Sequence, residues 1–272
     1  MAQVAINRSR MMPIIFAVTP TYPRPTQLAD MTRMCNTLRN VPALFWIVTE
    51  DAVKPTNNLR ELLDFCGVPF VHLVAPTPVA LRGRSFGRGV HNRNEALRWL
   101  RIHVKALARA KSVLYFADDD NAYDIRLFDE IRKTRSDSVS MFPVGAIGRT
   151  GISSPIVHAN GTLLGYFDPF PAKRKYVVDM AGFAVGMDLF LRSNATFAHQ
   201  TGYLEDSFLR NLNVTDSKIQ FLANNCTRVL VWHVKTIGGP DINTTGLHAK
   251  IKPIIKETNL HQLVDKYKIE KT

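Results

Sequence analysis

The chain has 272 residues, 46% hydrophobic and 21% charged, with 35 Lys and Arg against 23 Asp and Glu, a net charge of +12. This fits one large domain or two fused lobes with a sizeable core and excludes a disordered or fibrous chain. No apolar run reaches the ~18 residues that cross a bilayer, MAQVAINRSRMMP carries no secretory h-region, and three scattered cysteines without a CxxC exclude a zinc ribbon and a dense disulfide scaffold.

In chain order, PIIFAVTP (13–20) is a β-branched run stopped by proline and predicts a buried strand. After Pro25, the spacing of Leu28, Met31, Cys35 and Leu38 predicts a core-facing helix. ALFWIVTED (43–51) predicts a second strand ending in acids, NLRELLDFCG (58–67) a short helix capped by Gly67, and FVHLVAP (70–76) a third strand. From Asn92 to Lys111, Leu97, Leu100, Val104 and Leu107 step by 3, 4 and 3, an amphipathic helix whose other face carries Arg98, Arg101, Lys105 and Arg109. That basic face reads as solvated for Arg98 and Arg101. SVLYFADDD (112–120) gives a fourth strand ending in three carboxylates. Beyond it, SVSMFPV (138–144), YVVDMAGFAV (176–185) and RVLVWHV (228–234) are strand-like, and 145–175 is rich in Gly and Pro. YLEDSFLRNL (203–212) predicts a helix with Leu204, Phe208 and Leu212 on one stripe, and the tail from Lys250 is Lys-rich with some helical periodicity.

Strand and helix alternate across 13–120, so the expected fold is α/β: a mixed, mostly parallel sheet flanked by helices. Ligands in such sheets bind beyond the carboxyl ends of the strands. Pro20-Thr21-Tyr22, Glu50-Asp51 and Asp118-Asp119-Asp120 all fall at such ends. Adjacent carboxylates raise one another's pKa unless a cation neutralises them, and a hard divalent ion with oxygen ligands does so while sharing its remaining positions with substrate phosphates. The other reading of the triplet is a solvated acidic loop, or caps for a helix beginning near Asp124. Arg82, Arg84, Arg88, Arg93, Arg98 and Arg101 lie within twenty residues just upstream and attract anions. No aromatic RNA platform or helix-turn-helix pattern accompanies them, so nucleic acid is not an expected partner.

Six sequons, at Asn7, Asn160, Asn194, Asn213, Asn225 and Asn243, exceed chance and point to the secretory lumen, the last five being the glycosylation candidates. A lumenal chain implies an anchor outside this sequence, through a truncated or alternative amino terminus. Cys35, Cys66 and Cys226 read most simply as buried free thiols.

VTPTY (18–22), VTEDA (48–52), RGVHNRNEALRWLR (88–101), YFADDDNAYDIRLFDEIR (115–132), DMAGFAV (179–185), GYLEDSFL (202–209) and NCTRVLVWHVKT (225–236) occur in one order and at fixed separations. The ordered set closely resembles the β-1,3-glucuronosyltransferases of glycosyltransferase family 43, over about residues 13–240. The resemblance implies a GT-A-type nucleotide-sugar transferase fold of two fused lobes: 13–120 binding the UDP-sugar donor, 121–248 binding the acceptor and carrying the catalytic base. The tail, 249–272, has no readable role. It also implies Mn²⁺, UDP-glucuronate, a galactose-terminated glycan acceptor, a homodimer, and a type II membrane anchor in the Golgi lumen.

Carried over residue by residue, the resemblance implies donor contacts at Pro20, Thr21 and Tyr22, with the Tyr22 ring stacking on uracil and Asp51 accepting from its imide. Arg88 and Arg93 contact the donor, for which planar guanidinium forks suit both phosphate and uronate carboxylate. Asp120 is the implied metal ligand, Asp119 a ribose contact, and Asp118 a holder of neighbouring groups. His233 and Lys235 complete the donor side; relatives often carry arginine at the latter, so the bidentate fork is lost. Glu205 is the implied catalytic base, lying about 100° from the apolar stripe of its helix, so that it need not be buried in the core. Acceptor contacts are implied at Asp179, Ser153 and Tyr166. There the chain departs from the family: GISSP stands where proteoglycan-linkage enzymes carry an acid, and Tyr166 stands near an expected tryptophan. Two other readings stay open, the same fold with another UDP-sugar and a catalytically silent polyanion binder.

Overall fold

Along β1 (Ile15–Thr21), Ile15 and Ala17 face one hydrophobic layer and Phe16 and Val18 the other, the period of two expected of a strand buried on both faces. This strand is central to the seven-stranded sheet of a computed structural model that describes residues 12–81, 89–107, 112–200, 202–237, 244–245, 249–250 and 252–267. Arg82, Arg84, Arg88, Arg109 and Asn243 lie outside the described residues.

The helix α1 (Gln27–Leu38) leads to β2 (Leu44–Glu50), then α2 (Asn57–Cys66) to β3 (Phe70–Val74), and α3 (Val90–Leu107) crosses back to β4 (Val113–Phe116) on the other side of β1. All four strands are parallel. Gly67 caps α2 in the left-handed region at φ 76°. After β4 come β5 (Ala122–Tyr123), α4 (Arg126–Ile131) and β6 (Val139–Met141), and later β10 (Phe183–Gly186), α5 (Met187–Arg192), α6 (Leu204–Asn211) and β11 (Ile219–Phe221). The sheet order is β11-β6-β10-β4-β1-β2-β3, with β10 antiparallel to both neighbours, so the fold is the mixed, mostly parallel α/β architecture that the sequence predicts. Gly186 ends β10 against the chain: a Cβ there would lie 2.2 Å from the Arg135 carbonyl oxygen. Helices α1, α2 and α4 cover one face of the sheet and α3, α5 and α6 the other.

A second sheet, β5-β12-β7-β8-β9, is built from β7 (Val144–Gly145), β8 (Ile152–Val157), β9 (Leu163–Phe167) and β12 (Val231–Trp232). Several expectations change here. The 138–144 run divides between β6 and β7, one in each sheet, around Phe142-Pro143, since proline cannot continue a ladder. Only Phe183–Gly186 of the 176–185 run is strand, because the Asp179 side chain accepts from Ala181 N and caps a 3₁₀ turn. The Gly- and Pro-rich 145–175 region contains the β8–β9 hairpin, turned at Asn160-Gly161. Leu28 and Leu204 are half-buried, with Gln27, Asp30 and Leu209 taking inward positions. Arg101 is not solvated: its Nη2 donates to Ala195 O at 2.6 Å and its guanidinium lies over Phe190.

The cysteine expectation is corrected. Cys35 and Cys66, each on the buried stripe of its helix, form a disulfide across α1 and α2, and Cys226 alone is free, half-buried, with its thiol pushed up to about 12 by burial. In the tail, α7 (Asn259–Tyr267) rests on α2 through Lys266 Nζ and Glu61 Oε2 at 2.7 Å. Among the described residues, no helix is long and apolar enough to cross a membrane.

Candidate active site

The strand order reverses between β1 and β4, since β2 and β3 follow on one side of β1 and β4 lies on the other. A crevice opens beyond the carboxyl ends of the strands at such a switch point. Val18 pairs with Phe116, so the residues that follow, Pro20-Thr21 and Asp118-Asp119, leave the sheet side by side.

Thr21 Oγ1 donates to Asp119 Oδ2 at 2.7 Å, and Arg24 Nη2 meets the same oxygen at 2.8 Å. Asp119 is only 7% exposed, and burial pushes its carboxyl up to about 6 against the pull of Arg24 and Thr21. Arg93, buried on the first turns of α3, is paired with Asp118. Asp120 is left as the carboxylate with no cation in ion-pair distance among the described residues. Burial raises its pKa, and Asp118 beside it raises it further. His233 Nδ1 lies 3.1 Å from Asp179 Oδ2, and this contact raises the His233 pKa. Glu205, in the first turn of α6, has a side chain 17% exposed. Burial and Asp179 push its carboxyl up to about 7, opposed by Arg174 and Arg93.

Two close pairs, Arg93 with Asp118 and His233 with Asp179, are joined by longer-range electrostatics into one cluster: Asp118 and His233 both act on Asp120, and Asp179 and Arg93 both act on Glu205. Tyr22 and Asp51 stand at its edge. The Tyr22 ring is 49% exposed with the Arg24 guanidinium 4.7 Å from its centroid. Asp51 accepts from Thr77 N and Oγ1 and donates its own N–H to Thr21 O. Lys235 is exposed, two residues beyond His233. Ser153 reaches Glu205 only through intermediates: its Oγ donates to Asp168 Oδ2, Asp168 holds Arg174, and Arg174 Nη1 is 3.9 Å from Glu205 Oε2. Tyr166 does not join the group. It packs against the core with its hydroxyl towards Met141 Sδ at 3.8 Å, because it shares the inward face of the hairpin with Pro155.

Four residues that no motif marked prove central. Asp30, fully buried on α1, pairs with Arg24 and Arg33 at 2.8 Å and accepts from Thr236 Oγ1 at 2.6 Å, tying the His233–Thr236 segment to the Asp119 side. Arg24, Asp168 and Arg174 are the others. Only Arg24, directly after the Pro20-Thr21-Tyr22 strand end, stood where position alone marks it.

An acidic pair of hard oxygen donors, one raised by the other, fits a divalent cation at Asp120. Among the described residues, no three His, Cys, Asp or Glu side chains converge on one point. The candidate glycosylation residues Asn160, Asn194 and Asn213 are exposed, and Asn225 is half-buried with its Nδ2 donating to His158 O.

The sequence profile of Glycosyltransferase family 43 matches residues 34–237. The chain is 43% identical over 227 residues to galactosylgalactosylxylosylprotein 3-beta-glucuronosyltransferase S of Drosophila melanogaster, covering 83% of this chain and 54% of that protein. It is 40% identical over 229 residues to galactosylgalactosylxylosylprotein 3-beta-glucuronosyltransferase 2 of Homo sapiens, covering 83% and 70%. The chain therefore spans about half the length of the Drosophila relative. Among solved structures, S. aureus TarS in complex with UDP superposes with a TM-score of 0.50 at 14% identity, over 81% of this chain and 60% of that one, a likeness of fold of the GT-A type. With the family profile running from within α1 through the His233 segment, the chain belongs to glycosyltransferase family 43.

Proposed function

We propose that the chain is an inverting glucuronosyltransferase that moves glucuronate from UDP-glucuronate to the 3-hydroxyl of a terminal β-galactose on a glycoprotein, glycolipid or proteoglycan linkage glycan. The observation that carries this reading is Glu205, a carboxyl that burial pushes up to about 7 and on which Asp179, Arg174 and Arg93 act, with Arg93 paired to Asp118 and Asp179 paired to His233 on the donor side. The names of the relatives supply the sugar and the linkage.

On the donor side, Tyr22 stacks on uracil, Asp51 accepts from its imide, and Asp119, held by Thr21 and Arg24, takes the ribose hydroxyls. Arg93, His233 and Lys235, with Arg88, offer positive charge to the diphosphate and the uronate carboxylate. Asp120 holds a divalent cation, Mn²⁺ in this reading, whose chemistry is Lewis-acid neutralisation of the departing diphosphate. Glu205 takes the proton of the acceptor 3-hydroxyl while that oxygen forms the new bond to the anomeric carbon. The bond to the diphosphate oxygen breaks on the opposite face, UDP leaves with the electron pair, and the anomeric configuration inverts. Asp179, Ser153 and Arg174 line the acceptor side; Tyr166 has no part in this arrangement.

The Cys35–Cys66 disulfide and the exposed sequons support residence in an oxidising secretory lumen, the Golgi in this reading. The homodimer and the membrane anchor rest on family resemblance. Incubation with UDP-glucuronate, Mn²⁺ and a galactose-terminated glycoside tests the proposal, and a glucuronide product is expected. No product despite Mn²⁺-dependent UDP binding would assign another sugar donor. No UDP binding would favour a silent polyanion binder.

A further inference from the structure

Asp168, just after β9, is 5% exposed and accepts three hydrogen bonds: from Ser153 Oγ at 2.5 Å, Phe170 N at 2.8 Å and Arg174 Nη2 at 2.9 Å. Arg174 is 6% exposed, and its Nη2 also donates to Phe170 O. Its guanidinium is thus held along one edge only. Nη1 stops 3.9 Å from Glu205 Oε2, outside hydrogen-bond range, and the buried Nε has no hydrogen-bond partner among the described residues.

A desolvated guanidinium this near a desolvated carboxylate gains most by closing into a short bidentate pair. That pair would occupy the lone pairs of Glu205 and hold its carboxyl low, which makes a poor base. We propose that Asp168 is a positioning residue that clamps Arg174 short of Glu205 and so keeps that carboxylate open to the acceptor hydroxyl. The inference rests on the reading of Glu205 as the base. Among the described residues, the other charged groups that act most on Glu205 are Asp179, from the 3₁₀ turn, and Arg93, from α3. Neighbouring Asp206 is committed elsewhere, to Arg210 and to the amides of Lys175 and Tyr176.

The clamp also accounts for the departure at GISSP. A carboxylate still reaches the Ser153 position, supplied from the β9 side of the hairpin. Because Ser153 gives its only hydroxyl proton to Asp168, its oxygen offers lone pairs alone to an acceptor. With the Arg174 charge balanced by Asp168, the subsite suits a neutral polyhydroxyl sugar better than an anionic one.

The test follows the Glu205 titration directly, by carbon-13 NMR of glutamate carboxyls in the full chain, with Glu205→Gln assigning the resonance. Asp168→Asn should lower the midpoint by about one pH unit or more, and Arg174→Gln should raise it. The acid limb of the transfer rate should move with the midpoint, with kcat down about tenfold, donor KM unchanged, and Asp168→Glu restoring most of the rate. A midpoint that does not fall in Asp168→Asn would overturn the clamp even if Arg174→Gln raises it, as would a rate loss accompanied only by a lower melting temperature. If Asp168→Asn does not fold, Ser153→Ala carries the same titration with a smaller downward move expected, and an unmoved midpoint there would overturn the clamp. If the wild-type chain transfers no sugar, the reading of the reaction fails, and the substrate-free titration still decides for or against the clamp.

Discussion

Replacing Glu205 with glutamine should remove transfer and, above neutral pH, stabilise the fold. In the folded chain the carboxyl is raised from an ordinary 4.5 to about 7, mainly by burial. A carboxyl raised in this way favours the folded state fully below its unfolded pKa, and that contribution is lost as pH rises through the folded pKa. The ionised group therefore costs about 3 kcal/mol above pH 8 and nothing near pH 4. Glutamine keeps the shape and has no charge to desolvate. For a chain of this size the gain corresponds to a melting temperature on the order of 5–10 °C higher at pH 8, vanishing at pH 4 to 5. Thermal unfolding of both proteins across that range measures it. A difference independent of pH, or a variant less stable at pH 8, would refute the desolvated placement of Glu205 and with it the poised base.

Asp120→Asn removes the triplet carboxylate that has no cation partner among the described residues, so Mn²⁺-dependent UDP binding should weaken by at least about tenfold while metal-free binding is unchanged. Calorimetry with and without Mn²⁺ reads this, and equal affinities would contradict the metal assignment. Cys35→Ser opens the α1–α2 bridge, which closes a separation of 31 residues, and should cost about 3–4 kcal/mol on the chain-entropy account. A fall in the urea midpoint, matched by reductant on the parent chain, is expected; an unmoved midpoint would argue against the bridge.

The first half of the chain was legible because its elements are strongly patterned. β1, β2 and β4 are rich in β-branched and aromatic residues, α3 repeats its apolar residues at 3 and 4, and polar residues stand at or just beyond the end of each strand, at Thr21, Glu50-Asp51 and Asp118–Asp120. What escaped depends on contacts distant in sequence. Cys35 and Cys66 each sit on a buried stripe, but their pairing appears only when α1 docks on α2. The β8–β9 hairpin hides in a stretch whose Gly and Pro signal turns rather than strands. Arg174 stands in the basic run Lys173–Lys175 and looks solvated until Asp168 and Phe170 bury it. Asp30 reads as a polar residue of an amphipathic helix, yet Arg24, Arg33 and Thr236 make it a fully buried hub. Tyr166 shows the converse: its contact with Met141 depends on which face of the hairpin it takes, which proximity in sequence does not decide.

The most direct test is transfer itself. Purified protein with UDP-glucuronate and Mn²⁺ would be offered a galactose-β1,3-galactose and a galactose-β1,4-N-acetylglucosamine glycoside, with Glu205→Gln as control and the product linkage read by NMR. A β-1,3-linked glucuronide on at least one acceptor, absent with the variant, is the predicted result. A product of retained configuration, or one formed equally well by Glu205→Gln, would contradict the account.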